Sequence, residues 1–192
     1  MKFILASASP RRKELLKEIV QEFVVCPAKG EEKQIAVSPK NLVKELAKQK
    51  ANEVFSQGEG DRIVLGADTV VAIGKKILGK PKDETDAFEM LKKLSSRAHY
   101  VYTGVCFRYC VNGIDKSVTG VGVTKVYFNE LSDEWIKDYV KSGSPMDKAG
   151  AYGIQDGGLV KEIKGSYSNV VGLPIELCKK KYAKILKEIA ND

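Results

Sequence analysis

Histidine is almost absent: His99 is the only one among 192 residues. A Ser-His-Asp or Cys-His nucleophilic centre would have to be built on it. Its surroundings, His99-Tyr100-Val101-Tyr102, alternate in the manner of a strand and read as structural. Zinc chemistry is equally poorly served. The four cysteines, Cys26, Cys106, Cys110 and Cys178, include no C-x-x-C pair, and no His/Cys spacing suits tetrahedral metal binding. Cys106 and Cys110 share one face of an expected strand, as small apolar core residues do. Acid–base or metal chemistry must therefore come from carboxylates and lysines. No run approaches the ~20 apolar residues of a membrane helix. Met1-Lys2-Phe3-Ile4-Leu5-Ala6 is too short an apolar stretch for a signal peptide. A soluble, cytoplasmic protein with reduced thiols and no membrane partner is expected.

What is present is charge, and enough apolar side chains for a core. With 192 residues, 43% of them hydrophobic, the chain is expected to form one globular domain over 1–192, or two small lobes sharing one sheet. The formal net charge of +7 attracts anions: nucleic acid, acidic membranes or phosphorylated small molecules. The lysines are spread along the chain, with no basic helix, exposed aromatic repeat or nucleic-acid motif. Nucleic acid is therefore not expected as a partner, and the charge excess alone is equally compatible with a solvated surface.

Ser9-Pro10 and Ser38-Pro39 both read as helix starts, serine capping and proline in the first turn. Leu15, Leu16 and Ile19 supply the apolar stripe of the first helix. Leu42, Val43, Leu46, Ala47, Ala51, Val54 and Phe55 have helical spacing in the second. Further helices are expected over Asp83–Leu94, from Ser132 through Val140, and from Pro174 to about Ala190. Strands are expected at Lys2–Ala6, Glu22–Cys26 and Ile63–Ile73, the last running through Gly66-Ala67-Asp68-Thr69. Two long strands, His99–Val111 and Ile114–Phe128, are joined by Asn112-Gly113, the dipeptide of a tight hairpin. Residues 143–172 are rich in glycine and weak in helix signals, and read as loops with a short strand near Leu159–Ile163. Alternating β and α elements with one long hairpin predict a mixed α/β sheet.

Four segments have the composition of a site. In Ser7-Ala8-Ser9-Pro10-Arg11-Arg12 a strand gives way to hydroxyl residues and a helix opening with two arginines. Positive charge at a helix start is unfavourable unless an anion sits there; the alternative is a capped helix with exposed arginines. In Gly66-Ala67-Asp68-Thr69 a carboxylate interrupts an apolar run. Such a group is costly to bury unless it is paired or metal-bound, so Asp68 is a candidate metal ligand or general base, unless the segment is an ordinary strand-edge turn. Gly74 to Lys80 matches most of a phosphate-binding P-loop, but Pro81 stands where a Ser or Thr must hold magnesium. The P-loop is excluded, and Lys80 remains a point charge for phosphate. The segment Ser144 to Gln155 mixes glycines with polar groups, fitting either the wall of a binding cleft, with Gln155 offering donor and acceptor to a base edge, or a surface loop. Glu31-Glu32 is a carboxylate pair in an expected loop.

Taken in order, Ser-x-Ser-Pro-Arg-Arg, Gly-Ala-Asp-Thr, Gly-Lys-Pro, Asp-Lys-Ala-Gly-Ala-Tyr-Gly-Ile-Gln and Gly-Ser-Tyr…Val-Val-Gly-Leu-Pro resemble the Maf family of nucleoside triphosphate pyrophosphatases, from Leu5 to about Leu177. The resemblance implies an inosine-triphosphatase-like fold, a long mixed sheet with flanking helices forming two lobes around a nucleotide cleft. It implies a homodimer that uses magnesium or manganese. It makes Asp68 the general base and a metal ligand, with Glu32 helping to place metal or water. Ser7, Arg11 and Arg12 then contact phosphates, and Lys50 and Lys80 neutralise triphosphate charge. One branch of the family carries Asp-Thr after the strand and acts on dTTP and UTP; another differs at the Thr position and prefers 7-methyl-GTP. Thr69, Arg11 and Gln155 match the first branch. The implied reaction is attack of water on the α-phosphorus, releasing monophosphate and pyrophosphate, with removal of non-canonical nucleotides as a possible role. The other reading of the same resemblance is a nucleotide-responsive regulator of cell division without significant turnover.

Overall fold

The computed structural model describes residues 1–31 and 38–191. The serine and proline signals start helices where expected. Helix α1 (Pro10–Leu16) is capped by Ser9, whose Oγ accepts from Arg12 N, and α2 (Pro39–Phe55) by Ser38, whose Oγ accepts from Asn41 N. Asp83 caps α3 (Glu84–Leu94) and Ser132 caps α4 (Asp133–Lys141) in the same way. Strands β1 (Lys2–Leu5), β2 (Val24–Val25), β3 (Arg62–Ile73), β4 (Lys76–Leu78), β5 (Ala98–Val111), β6 (Ile114–Phe128) and β7 (Val160–Lys164) complete the expected mixed sheet. Its order is β2-β1-β3-β5-β6-β7, with β4 beside β3. Parallel pairing of β1 with β2 and β3 adjoins antiparallel pairing of β3 with β4 and of β6 with β7. The Asn112-Gly113 turn has positive φ at both residues, as a two-residue hairpin turn requires. No helix among the described residues is long and apolar enough to cross a membrane.

The region 143–172 holds more structure than its composition announces. Single-turn 3₁₀ helices occupy Ser144–Asp147, Ala149–Ala151 and Ile154–Asp156, and a short helix, α5 (Tyr167–Val171), follows β7. Tertiary hydrogen bonds hold α5: Asn169 is buried and donates through Nδ2 to Val101 O (3.1 Å) and Thr124 Oγ1 (3.0 Å). Five residues have no helical period to read, so the signal lay in partners distant along the chain. The last helix, α6 (Ile175–Asn191), runs as expected.

The chain divides into two compact units: residues 1–68, 103–122 and 172–192, and residues 69–102 and 123–171. Within the first, the period-2 alternation of the strands feeds two cores. Phe3, Leu5, Ile63, Leu65, Val105 and Phe107 meet Leu16, Cys178 and Ile185. Ile4, Val64 and Cys106 meet Ala47, Ala51, Val54 and Phe55 of α2. Two glycines bring α2 unusually close. A Cβ at Gly104 would lie 2.1 Å from Val43 O, and one at Gly66 2.3 Å from Ala47 O. The helix backbone therefore rests on the backbones of β5 and β3. Burial pushes the thiol of Cys106 up to about 11 and that of Cys178 up to about 12. All four cysteines are free thiols, and these two serve as core residues.

The core of the second unit packs α3 and α4 against Val71, Val101, Val126 and Phe128. His99 is 1% exposed within it, its Nε2 2.9 Å from Tyr152 Oη and its ring edge-on to Phe128 and Tyr152. Its structural role was legible from the alternating pattern. Burial is the main cause that lowers its pKa from 6.5 to about 4, the nearby backbone of Arg97 pulling the other way. The unfolded chain thus binds a proton at a pH where the folded one refuses it. The stabilisation is complete above pH 6.5 and is lost as pH falls through 6.5 towards 4, by about 3 kcal/mol in total. Denaturant unfolding at pH 7.5 and pH 4.5 should show this loss in the wild type and a smaller one in His99→Phe; equal losses in the two proteins would refute it.

Candidate active site

Strands β1 and β3 run parallel in the register Leu5↔Leu65, and Ala6 N donates to Leu65 O at 2.8 Å. Just past this pair β1 yields to the Ser7–Arg12 segment while β3 continues through Gly66 and Ala67 to Asp68. The first and second sequence candidates therefore leave the same end of two adjacent strands. Ser7 is 7% exposed, and its Oγ accepts from Ser9 N (3.3 Å) and Arg12 Nη1 (3.2 Å). Arg12 also donates through Nε to Gly172 O at 2.9 Å, which fixes its guanidinium over the loop. Arg11 is half-buried beside it. Helix α1 is only seven residues long, so the positive character here comes chiefly from the guanidiniums.

Asp68 lies inside β3, and its side chain is 12% exposed; the strand-edge-turn alternative fails. Its partner is Lys50, whose Nζ donates to Oδ1 at 2.5 Å from the face of α2 that lies on β3. A carboxylate and an ammonium largely screened from water each need the other, and deleting either side chain leaves its partner without a counter-charge or a hydrogen bond. The close approach of α2 at Gly66 is what lets a lysine of that helix reach the strand.

One turn further along α2, Glu53 accepts from Lys29 N (2.7 Å) and Gly30 N (3.1 Å). It pins the backbone just ahead of Glu31 and is a residue that the sequence reading did not single out. Its only sign is its position three residues after Lys50. Glu32 lies outside the described residues. Among those described, no group of three or more His, Cys, Asp or Glu side chains is arranged to hold a metal ion.

The second unit carries Thr69, Lys80 and Gln155. Thr69 is half-buried and follows Asp68 in β3. Lys80 is exposed between Gly79 and the buried Pro81, and Gly79 O accepts from Gly150 N at 2.9 Å. The lysine segment is thereby tied to the loop that carries Gln155, which is exposed in the 3₁₀ turn Ile154–Asp156.

The Maf-like protein family model matches residues 2–185. The chain is 48% identical to the dTTP/UTP pyrophosphatase of Thermococcus kodakarensis, covering 98% of this chain and 97% of that one. It is 48% identical to that of Aquifex aeolicus, over 98% and 96% of the two chains, and 51% identical to that of Agathobacter rectalis, over 90% and 91%. The Ham1 protein of Staphylococcus aureus shares the fold, with a TM-score of 0.52 at 14% identity over 96% of this chain and 99% of that one. With a family match across nearly its whole length and relatives at about half identity, the chain belongs to the Maf family.

Proposed function

We propose that this protein hydrolyses dTTP and UTP to the nucleoside monophosphate and pyrophosphate. The partly buried Lys50–Asp68 pair, at the strand end that also carries Ser7 and Arg12, is the observation that supports this most directly. The names of the relatives supply the substrates. In this reading Asp68 takes a proton from the attacking water as its oxygen bonds to the α-phosphorus. The bridging bond to the β-phosphate breaks, and pyrophosphate leaves with the electron pair. Ser7, Arg11 and Arg12 hold phosphate oxygens, arginine being able to donate two parallel hydrogen bonds. Lys50 and Lys80 offset the negative charge growing on the leaving group. Thr69, Arg11 and Gln155 select the base.

A hard divalent cation, magnesium or manganese, fits this donor set, since such ions are held by one or two carboxylates together with substrate phosphates. Asp68 would hold it, and the ion supplies Lewis-acid polarisation of the phosphate. Family membership also supports a homodimer, which light scattering on the purified protein tests.

Incubation of the pure protein with dTTP, UTP, CTP and GTP, with magnesium or manganese, tests the activity. Monophosphate and pyrophosphate are expected, fastest from dTTP and UTP. Diphosphate with inorganic phosphate would mean a different phosphohydrolase. Tight binding without product would favour the regulatory reading.

A further inference from the structure

The segment carrying Gln155 is held from both sides by one hydroxyl. Tyr139, on α4, accepts from Gly153 N at 3.1 Å and donates to Asp156 Oδ2. These two contacts bracket Ile154 and Gln155. Asp156 Oδ2 also accepts from Ser144 Oγ at 2.8 Å and lies 4.0 Å from Lys148 Nζ. Lys148 in turn donates to Ser144 Oγ (3.1 Å) and Asp147 Oδ1 (3.0 Å). Burial pushes the Asp156 carboxyl up, but the hydrogen bonds from Tyr139 and Ser144 and the charge of Lys148 outweigh it and hold the group below its ordinary value. Burial and the neighbouring carboxylate push the Tyr139 phenol well up, so the hydroxyl keeps the proton it donates. Beneath the ring, Trp135 stacks on Tyr139 with centroids 5.1 Å apart, and its indole lies against Gly158 on the far side of the turn. An exposed glutamine on a glycine-rich loop ordinarily samples many positions. Here the backbone on either side of it is fastened to a helix.

We infer that Tyr139 and Asp156 are positioning residues that fix the orientation of Gln155, and that nucleobase selectivity depends on them although neither need touch the nucleotide. This rests on the base-reading role proposed for Gln155. A hydrogen bond from a well-placed amide to a base edge contributes about tenfold to discrimination, and the entropy of ordering a free loop at each binding event erodes that gain.

The test compares wild type with Gln155→Ala, Tyr139→Phe, Asp156→Ala and Asp156→Asn. Equilibrium affinities are measured for the α,β-imido analogues of dTTP and dGTP and for inorganic triphosphate, which has no base. Gln155→Ala and Tyr139→Phe should each reduce the dTTP-over-dGTP preference by about tenfold and leave triphosphate affinity unchanged. Asp156→Asn, which keeps an acceptor oxygen, should recover most of the preference lost in Asp156→Ala. Tyr139→Phe should add little to Gln155→Ala in the double variant. A wild-type preference in Tyr139→Phe beside a lost one in Gln155→Ala overturns the positioning role alone. Equal losses for nucleotide and triphosphate reduce the contacts to general stability and overturn it too. An unchanged preference in Gln155→Ala overturns the base-reading role and this inference with it. Because binding is read, a failure to observe hydrolysis leaves the test intact.

Discussion

Asp68→Asn is expected to fold and to turn over dTTP at least about 10²–10³-fold more slowly than wild type, the cost typical of removing one preorganised electrostatic partner at a reacting centre. The carboxamide has the same shape, and its oxygen can still accept from Lys50 Nζ, which stands 2.5 Å away in the wild type. It cannot take a proton from water or carry the charge that draws a cation to the phosphates. The loss should fall on kcat, because Ser7, Arg11 and Arg12 still hold the triphosphate. The melting temperature should drop by only a few degrees, since the ammonium keeps an acceptor. Monophosphate release followed by chromatography, beside a thermal melt monitored by circular dichroism, reads both quantities. Wild-type turnover in this variant would remove Asp68 from the mechanism.

The second large effect is expected from a single methyl group. In Gly104→Ala the new Cβ would lie 2.1 Å from Val43 O, 2.4 Å from Val43 C and 2.8 Å from Lys44 N, all of them backbone atoms of α2. No rotamer relieves such a contact, so the helix must lift from the sheet. Overpacking of this kind costs about 1–3 kcal/mol and more where backbone must move. Activity should suffer beyond the stability loss, because Lys50 rides on the same helix. Displacement of a catalytic group by about 1 Å commonly costs about 10²-fold. The denaturation midpoint and kcat of Gly104→Ala should both fall, measured at a temperature where the variant remains folded. A midpoint within error of wild type would show that the helix has room that the structure denies it.

Much of the fold was legible because its signals are local. Ser9-Pro10, Ser38-Pro39 and Asn112-Gly113 act through their own backbone, and the alternation in β1 and β3 needs only neighbouring residues to be read. Asp68 stood out as a carboxylate inside an apolar run. What stayed hidden was pairing at a distance. Nothing around Lys50 marks it as the partner of Asp68 eighteen residues on, and only the family resemblance pointed to it. The seat of Arg12 on Gly172 O spans 160 residues, and Glu53 reaches back to Lys29 and Gly30. The α5 helix depends on Val101 and Thr124 for its one buried amide. In each case the deciding partner is brought near only by the completed sheet.

The division of the chain into interleaved segments also bears on how the protein is made. The unit containing Asp68 is assembled from residues 1–68, 103–122 and 172–192, whereas the other uses only 69–102 and 123–171. Phe3 meets Tyr182 ring to edge at 5.5 Å, and Tyr109 donates to Glu188 at 2.7 Å. Strand β1 leaves the ribosome well before α6, the helix that completes its core. At about 5–20 residues per second, that wait is on the order of ten seconds or more. During it the apolar face of Phe3 and Leu5 has no native cover from α6, and the second unit can close first. The half of the protein that bears the proposed base is therefore the half completed last, and it is the more exposed of the two to aggregation and to chaperones during synthesis.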